Sequence, residues 1–220
     1  MQLAIATVSS VQAGRIAPLG PQRVASAFVK REVKGAAHVG LLGLDVDEQA
    51  DLRVHGGPEK AVYAYAGAHY PEWAADLPVL AARFIAGSFG ENLTIAGIAE
   101  QDICVGDVHG IGSVRLQVSQ PRQPCGKLAL NFDYPRLPRA MVRNGRSGWY
   151  YRVLEPGTLQ AGDAVLLLER PRPDFPFFSL LRFLYSRELQ LGDIRRIADA
   201  PEIAPDLRAA AARMLQEDSH

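Results

Sequence analysis

Glycine and proline cut roughly the first 170 residues into short runs of β-branched, aromatic and aliphatic side chains, and that punctuation restricts the chain to a barrel or sandwich of short strands. The runs read as strands at residues 3–8, 27–33, 40–45, 61–65, 108–111, 114–118, 149–154 and 164–169. Alanine-rich stretches at 66–75 and 79–86 read as short helices. After Pro171 the character changes. Pro171, Pro173 and Pro176 break the chain, and apolar residues then recur at helical spacing: Phe178, Leu181, Phe183, Leu184, Leu189, Leu191, Ile194 and Ile197. Residues 205–216 form an amphipathic helix with a proline in its first turn, carrying Leu207, Ala210, Ala211, Met214 and Leu215 on one face. The expected architecture is a mostly β, barrel-like domain at 1–170 with a few short helices, followed by a small α-helical C-terminal module at 171–220. Packing or homodimerisation is the simpler role for that module, and a partner-docking surface the alternative.

Charge removes whole classes of partner. The 24 basic and 24 acidic residues leave a formal net charge of zero, so no global field favours nucleic acid or an anionic membrane. Two cysteines without CxxC or Cys…His spacing do not make a disulfide scaffold, a structural zinc site or an iron–sulfur cluster. The N-terminus lacks a basic n-region, and no apolar run approaches the ~20 residues that span a bilayer. A cytoplasmic protein is the expectation.

The chemistry concentrates around Cys125. A strand carrying Val114, Leu116 and Val118 runs into a loop stiffened by Pro121 and Pro124, which ends on that thiol with Arg122 and Lys127 on either side. Two neighbouring cations favour the thiolate, the form that attacks electrophiles or binds soft metals. A second loop, Arg53-Val54-His55-Gly56-Gly57-Pro58-Glu59-Lys60, surrounds bare glycine amides with cationic donors, which suits a phosphate or another anion but equally a plain surface turn. In Ser88-Phe89-Gly90-Glu91-Asn92-Leu93-Thr94, Asn92 and Thr94 could read a heterocycle and Phe89 could wall a pocket, or the segment is simply a turn. Cys104 reads as a small core hydrophobe, His69 and Trp73 as packing on a helix, and His109 as a surface residue of a strand. A Cys–His hydrolase or metal-free sulfur-transfer protein is one reading of Cys125 and His55, although no orienting third residue is identifiable. A soft-metal cofactor with a phosphate tail is the other.

Five segments in order, Arg53-x-His55-Gly56-Gly57-Pro58, Phe89-Gly90-Glu91-Asn92-Leu93, Gly106-Asp107, Gln120-Pro121-Arg122-x-Pro124-Cys125-x-Lys127 and Gly148-Trp149-Tyr150-x-Arg152-Val153-Leu154-x-Pro156-Gly157, resemble the MOSC domain family. Within it the chain is most similar to the stand-alone bacterial YiiM-like branch, which carries a small helical C-terminal module. The resemblance implies a β-barrel-like MOSC fold that binds the molybdenum cofactor, a molybdopterin. It implies that Cys125 ligates the molybdenum beside the pterin dithiolene. Arg53, His55, Gly56 and Lys60 would lie near the cofactor or its phosphate, Glu91 and Asn92 would line the pocket, and Ser119, Gln120, Arg122 and Lys127 would frame metal and phosphate. By similarity to the mitochondrial amidoxime-reducing component, the implied activity is two-electron reduction of N-hydroxylated compounds, such as 6-hydroxylaminopurine or amidoximes, to amines. Cys125, with His55 and Glu91 as candidate proton donors, would be catalytic. The chain has no haem motif or nucleotide fingerprint, so a flavin or iron–sulfur redox partner protein would supply the electrons. Carriage or storage of the cofactor, or of sulfur, without turnover is the alternative.

Overall fold

Seven strands close on themselves in the computed structural model, which describes residues 3–52, 55–185 and 190–217. They are β1 (Leu3–Ala13), β2 (Val62–Ala66), β3 (Leu93–Ala96), β4 (Val108–Ile111), β5 (Val114–Pro121), β6 (Trp149–Glu155) and β7 (Ala164–Glu169). Their order is β7-β4-β5-β6-β2-β3-β1, and β1 pairs back onto β7 with Leu3 opposite Leu167. Closure removes the unpaired edges that an open sheet of short strands would expose. The β2–β3 pair is parallel, with Ala64 opposite Leu93, and the other pairings of the barrel are antiparallel.

Strand β2 shows why these residues build this wall. Every residue of Val62-Tyr63-Ala64-Tyr65-Ala66 is buried, and the two-residue period divides them. Val62, Ala64 and Ala66 face the barrel interior, while Tyr63 and Tyr65 join a second cluster with Trp73, Phe84, Phe89 and Phe132. Helix α1 (His69–Asp76) lays Trp73 over that cluster, where its indole N–H donates to the Tyr65 hydroxyl at 2.7 Å. Each large side chain so buried contributes about 1.5–3 kcal/mol. Two further helices, α2 (Gly126–Phe132) and α3 (Leu137–Asn144), close the cluster with Leu128, Phe132, Leu137 and Met141.

The β5–β6 ladder slips between Val118 and Gln120, leaving Ser119 as a bulge. A bulge bends its strand and re-aims the chain beyond it. Here it directs the loop from Pro121 to Cys125 away from the ladder. Beyond the barrel, α4 (Phe178–Tyr185), α5 (Leu191–Asp199) and α6 (Pro205–Glu217) place Leu180, Leu181, Ile194, Ile197, Leu207 and Ala211 in the same buried cluster as the barrel interior. The Ala204 N–H donates to the Ser119 carbonyl at 3.2 Å, and the Tyr185 hydroxyl to the Arg122 carbonyl at 3.2 Å. The C-terminal helices therefore rest on the strand and loop that carry Cys125. No helix among the described residues is long and apolar enough to cross a membrane.

Four local readings change. The run at 27–33 is not one strand: short strands Val24–Ser26 and Arg31–Glu32 flank an irregular segment carrying Phe28 and Lys30. Residues 40–45 form a hairpin turn at Leu41 and Leu42 between Ala37–Gly40 and Gly43–Leu44. A 3-10 turn, Pro78–Arg83, replaces the second expected helix, and Leu189 lies outside the described residues. His109 is not at the surface. It is fully buried because β4 is covered on both faces, and its Nδ1 shares a 2.7 Å hydrogen bond with the Tyr151 hydroxyl.

Candidate functional site

Strand β5 ends at Pro121, and the loop after it turns Arg122 inward and Cys125 to the rim of a cleft enclosing about 580 Å³ including its open mouth. Cys125 is half-buried and extended (φ −121°, ψ 167°), standing just before α2. Burial of the sulfur opposes its ionisation. A hydrogen bond from His55, the Arg122 guanidinium and the Lys127 backbone N–H outweigh that penalty, and the thiol is held down at about 6.

Arg122 is the unusual member. It is only 4% exposed, yet no carboxylate among the described residues pairs with it. Its Nη2 lies 3.8 Å from Cys125 Sγ and its Nη1 3.7 Å from Met141 Sδ. The guanidinium sits 5.7 Å from the Tyr63 ring centroid and 5.8 Å from that of Phe28. Ring faces attract a cation weakly, at roughly 1–2 kcal/mol each when desolvated, whereas an unpaired buried charge costs several kcal/mol. The thiolate supplies part of the missing counter-charge, and the geometry leaves room in the cleft for more.

A turn on the opposite rim brings His55, Gly56 and Lys60 to the cleft. Gly56 and Gly57 have φ of +80° and +81°, a region that residues with a Cβ avoid. The turn is locked from behind. Ser119 Oγ donates to the Glu59 carbonyl at 2.7 Å and Gln120 Nε2 to the same carbonyl at 3.2 Å, while Arg152 grips the Glu59 carboxylate through Nε at 3.0 Å and a second, shorter contact. The third wall is Lys30, whose ammonium pairs with Asp47 at 2.5 and 2.6 Å, both side chains almost wholly buried. Asp47 also accepts from the Gly14 N–H at 2.7 Å and Asn92 Nδ2 at 2.9 Å. The cleft is thus rimmed by Lys30, Lys60, Arg122 and Lys127. Its acids, Asp47 and Glu48, are engaged by Lys30 and by Arg15.

The structure brings His55, Gly56, Lys60, Asn92, Arg122, Cys125 and Lys127 to one cleft. Asn92 contributes little free chemistry there. Its side-chain oxygen accepts from the Tyr63 N–H at 3.1 Å, and its nitrogen is spent on Asp47 and the Gln12 carbonyl. Three expectations are displaced. Glu91 is fully buried outside the cleft, where its carboxylate accepts the Gly87 and Phe89 N–H groups at 2.5 and 3.0 Å and the Tyr70 hydroxyl, and burial pushes its carboxyl up. It anchors the loop rather than facing a ligand. Ser119 and Gln120 hold the Glu59 turn and do not line the cleft. Arg53 lies outside the described residues. Phe28, Lys30, Asp47, Tyr63 and Tyr150 line the cleft without having been anticipated.

Among the described residues, no cluster of three or more His, Cys, Asp or Glu could cage a metal ion. A metal bound at Cys125 would therefore bring most of its other ligands with it. The cleft suits an anionic, metal-bearing molecule of moderate size: one soft thiolate, several cations and flat aromatic walls from Tyr63, Phe28 and Tyr150.

Comparison with known proteins identifies the family and the fold. Residues 51–166 match the model of the MOSC domain. The YiiM protein of Escherichia coli is 41% identical over 150 residues, covering 68% of this chain and 67% of that protein. A protein named "Reductase" from Gibberella moniliformis is 36% identical over 220 residues, and this chain spans only 39% of its length. The crystal structure of YiiM from Geobacillus stearothermophilus superposes with a TM-score of 0.79 at 31% identity, covering 94% of this chain and 98% of that one.

Proposed function

This chain belongs to the MOSC domain family, and from that premise we propose that it holds a molybdenum cofactor in the cleft and reduces N-hydroxylated compounds to amines. The observation that carries the reading is Arg122: a buried guanidinium beside a thiolate, without a carboxylate among the described residues, in a cleft rimmed by further cations. Such an arrangement is costly alone and favourable around an anion. The relative named as a reductase supports oxidoreductase chemistry in general.

When bound, the cofactor supplies the two-electron couple needed to remove oxygen from an N–O bond. The chain's own residues supply the rest. Cys125, with its thiol held at about 6, offers a ready sulfur ligand at neutral pH. Arg122, Lys60 and Lys127 compensate phosphate and thiolate charge, and the Gly56–Gly57 turn lets backbone amides approach a phosphate closely. Tyr63 and Phe28 wall the site and exclude water from one side. His55, hydrogen-bonded to Cys125 at the rim, is the side chain best placed to hold a proton for the substrate.

The overall conversion, R–NHOH plus two electrons and two protons to R–NH2 and water, needs an outside electron source. A flavin or iron–sulfur partner protein fills that role. The test is reduction of a hydroxylaminopurine by protein made in a cofactor-competent host, with molybdenum quantified and an artificial low-potential donor supplied. Turnover proportional to molybdenum content is expected. Absence of molybdenum overturns the cofactor reading, and a fully loaded sample without turnover overturns the reductase reading in favour of carriage.

A further inference from the structure

Where the β5 ladder fails, the C-terminal module takes over. Ser119 is the bulged residue, and its carbonyl accepts the Ala204 N–H at 3.2 Å, one residue before α6 begins. Ladder pairing ends at Pro121, and neither Pro121 nor Pro124 has an N–H to anchor the loop that follows. Two contacts then hold the Arg122 backbone. Its N–H donates to the Gly148 carbonyl at a long 3.4 Å, and its carbonyl accepts the Tyr185 hydroxyl at 3.2 Å. Tyr185 closes α4 and is half-buried against the barrel cluster. Burial pushes its hydroxyl up to about 12 while Arg122 draws it down, so the group stays a donor throughout the neutral range.

The same helix reaches Arg122 by a second route. Phe178 and Leu181, about two turns and one turn before Tyr185, cover Gly145. A Cβ at Gly145 would meet the Phe178 ring at 3.3 Å and the Leu181 side chain at 3.9 Å. Gly145 caps α3 at φ +73°, and its N–H donates to the Met141 carbonyl at 3.0 Å. Met141 in turn offers its sulfur to Arg122 Nη1 at 3.7 Å. Helix α4 thus bears on Arg122 directly at the backbone, and through α3 at the guanidinium.

We propose that Tyr185 is a positioning residue: it fixes where Arg122 presents its guanidinium, so that anion binding in the cleft is coupled to docking of the C-terminal module on the barrel. The proposal rests on the reading of the cleft as an anion site. Coupling of this kind is reciprocal: whatever factor the docked module adds to anion affinity, the anion returns as protection of the module. A module that served only as packing or as a dimer face would be indifferent to what occupies the cleft.

Inorganic phosphate titrated calorimetrically into the cofactor-free chain tests this without molybdenum or turnover. Tyr185→Phe keeps the ring and removes one hydrogen bond, and is expected to weaken phosphate about threefold to tenfold. In wild type, saturating phosphate should slow amide exchange across residues 178–185 by the same factor, and in Tyr185→Phe that slowing should disappear. In cofactor-loaded protein the variant should lose molybdenum on dialysis faster by that factor. Equal phosphate affinity in the two proteins, with α4 exchange indifferent to phosphate, makes Tyr185 a packing residue and overturns the proposal. Failure of wild type to bind phosphate overturns the anion reading of the cleft and the proposal with it. Phosphate binding and exchange as expected, in a protein that acquires no molybdenum, overturns the cofactor reading alone and leaves the role of Tyr185 standing.

Discussion

Replacing Arg122 with methionine separates the cost of a buried cation from its use. The side chain is 4% exposed and without a carboxylate partner among the described residues, so removing its charge relieves a desolvation penalty of several kcal/mol. The same change forfeits two ring contacts, at 5.7 and 5.8 Å, worth roughly 1–2 kcal/mol each. These offset one another, so the cofactor-free variant should stay within about 2 kcal/mol of wild type, a shift of about 8 °C or less in Tm for a chain of this size. Cys125 responds far more. At about 6, against an ordinary 9.0, the thiol is about nine-tenths ionised at pH 7, where an ordinary thiol would be about one part in a hundred. The His55 hydrogen bond is the largest influence lowering the thiol and Arg122 the next, so Arg122→Met should move the ionisation midpoint up towards the ordinary thiol value. Iodoacetamide labelling from pH 4.5 to 9.5, in a Cys104→Ala background, reads that midpoint directly. A midpoint unchanged in Arg122→Met, or a variant that fails to fold, would refute the assignment of Arg122 as an anion-directed charge.

Two further outcomes are expected. His109 is buried neutral, its folded value lowered to about 4 chiefly by burial, with Asp107 raising it and Arg170 lowering it. The unfolded chain therefore takes up this proton first as pH falls, so stability should be lost between about 6.5 and about 4, up to about 3 kcal/mol, and denaturant titrations of His109→Asn should show that slope reduced. Glu91→Gln, which weakens the loop anchor without touching the cleft, should lower Tm by several degrees yet retain molybdenum content and kcat within about twofold; loss of kcat with normal molybdenum would restore a proton-donor role to Glu91.

The strands of the barrel were legible because glycine and proline mark their ends, and the C-terminal helices because Ile194, Ile197, Leu207 and Ala211 keep a helical period. Cys125, Arg122 and His55 could be singled out because a proline-fixed thiol and a Gly-Gly turn are local signals. Lys30 and Asp47 carry no such signal: they meet across 17 residues of chain, and the β-like run 27–33 concealed the irregular segment that turns Phe28 and Lys30 to the cleft. In the sequence Tyr63 is an ordinary strand residue, because alternation reports two faces but not that the second face is also covered. Helices α2 and α3 are short, with only Leu128/Phe132 and Leu137/Met141 to betray them. Glu91 and Gln120 illustrate the opposite error. Their segments match a functional pattern, but one anchors a loop and the other holds the Glu59 turn, distinctions that depend on hydrogen bonds between distant strands.

The most direct test measures molybdenum per protein chain in wild type and in Cys125→Ser, expressed in the same cofactor-competent host and matched for folding by circular dichroism. An equimolar metal content in wild type that collapses in the serine variant is the predicted result. Equal metal in both proteins would contradict the assignment of the Cys125 sulfur as the ligand on which the site is built.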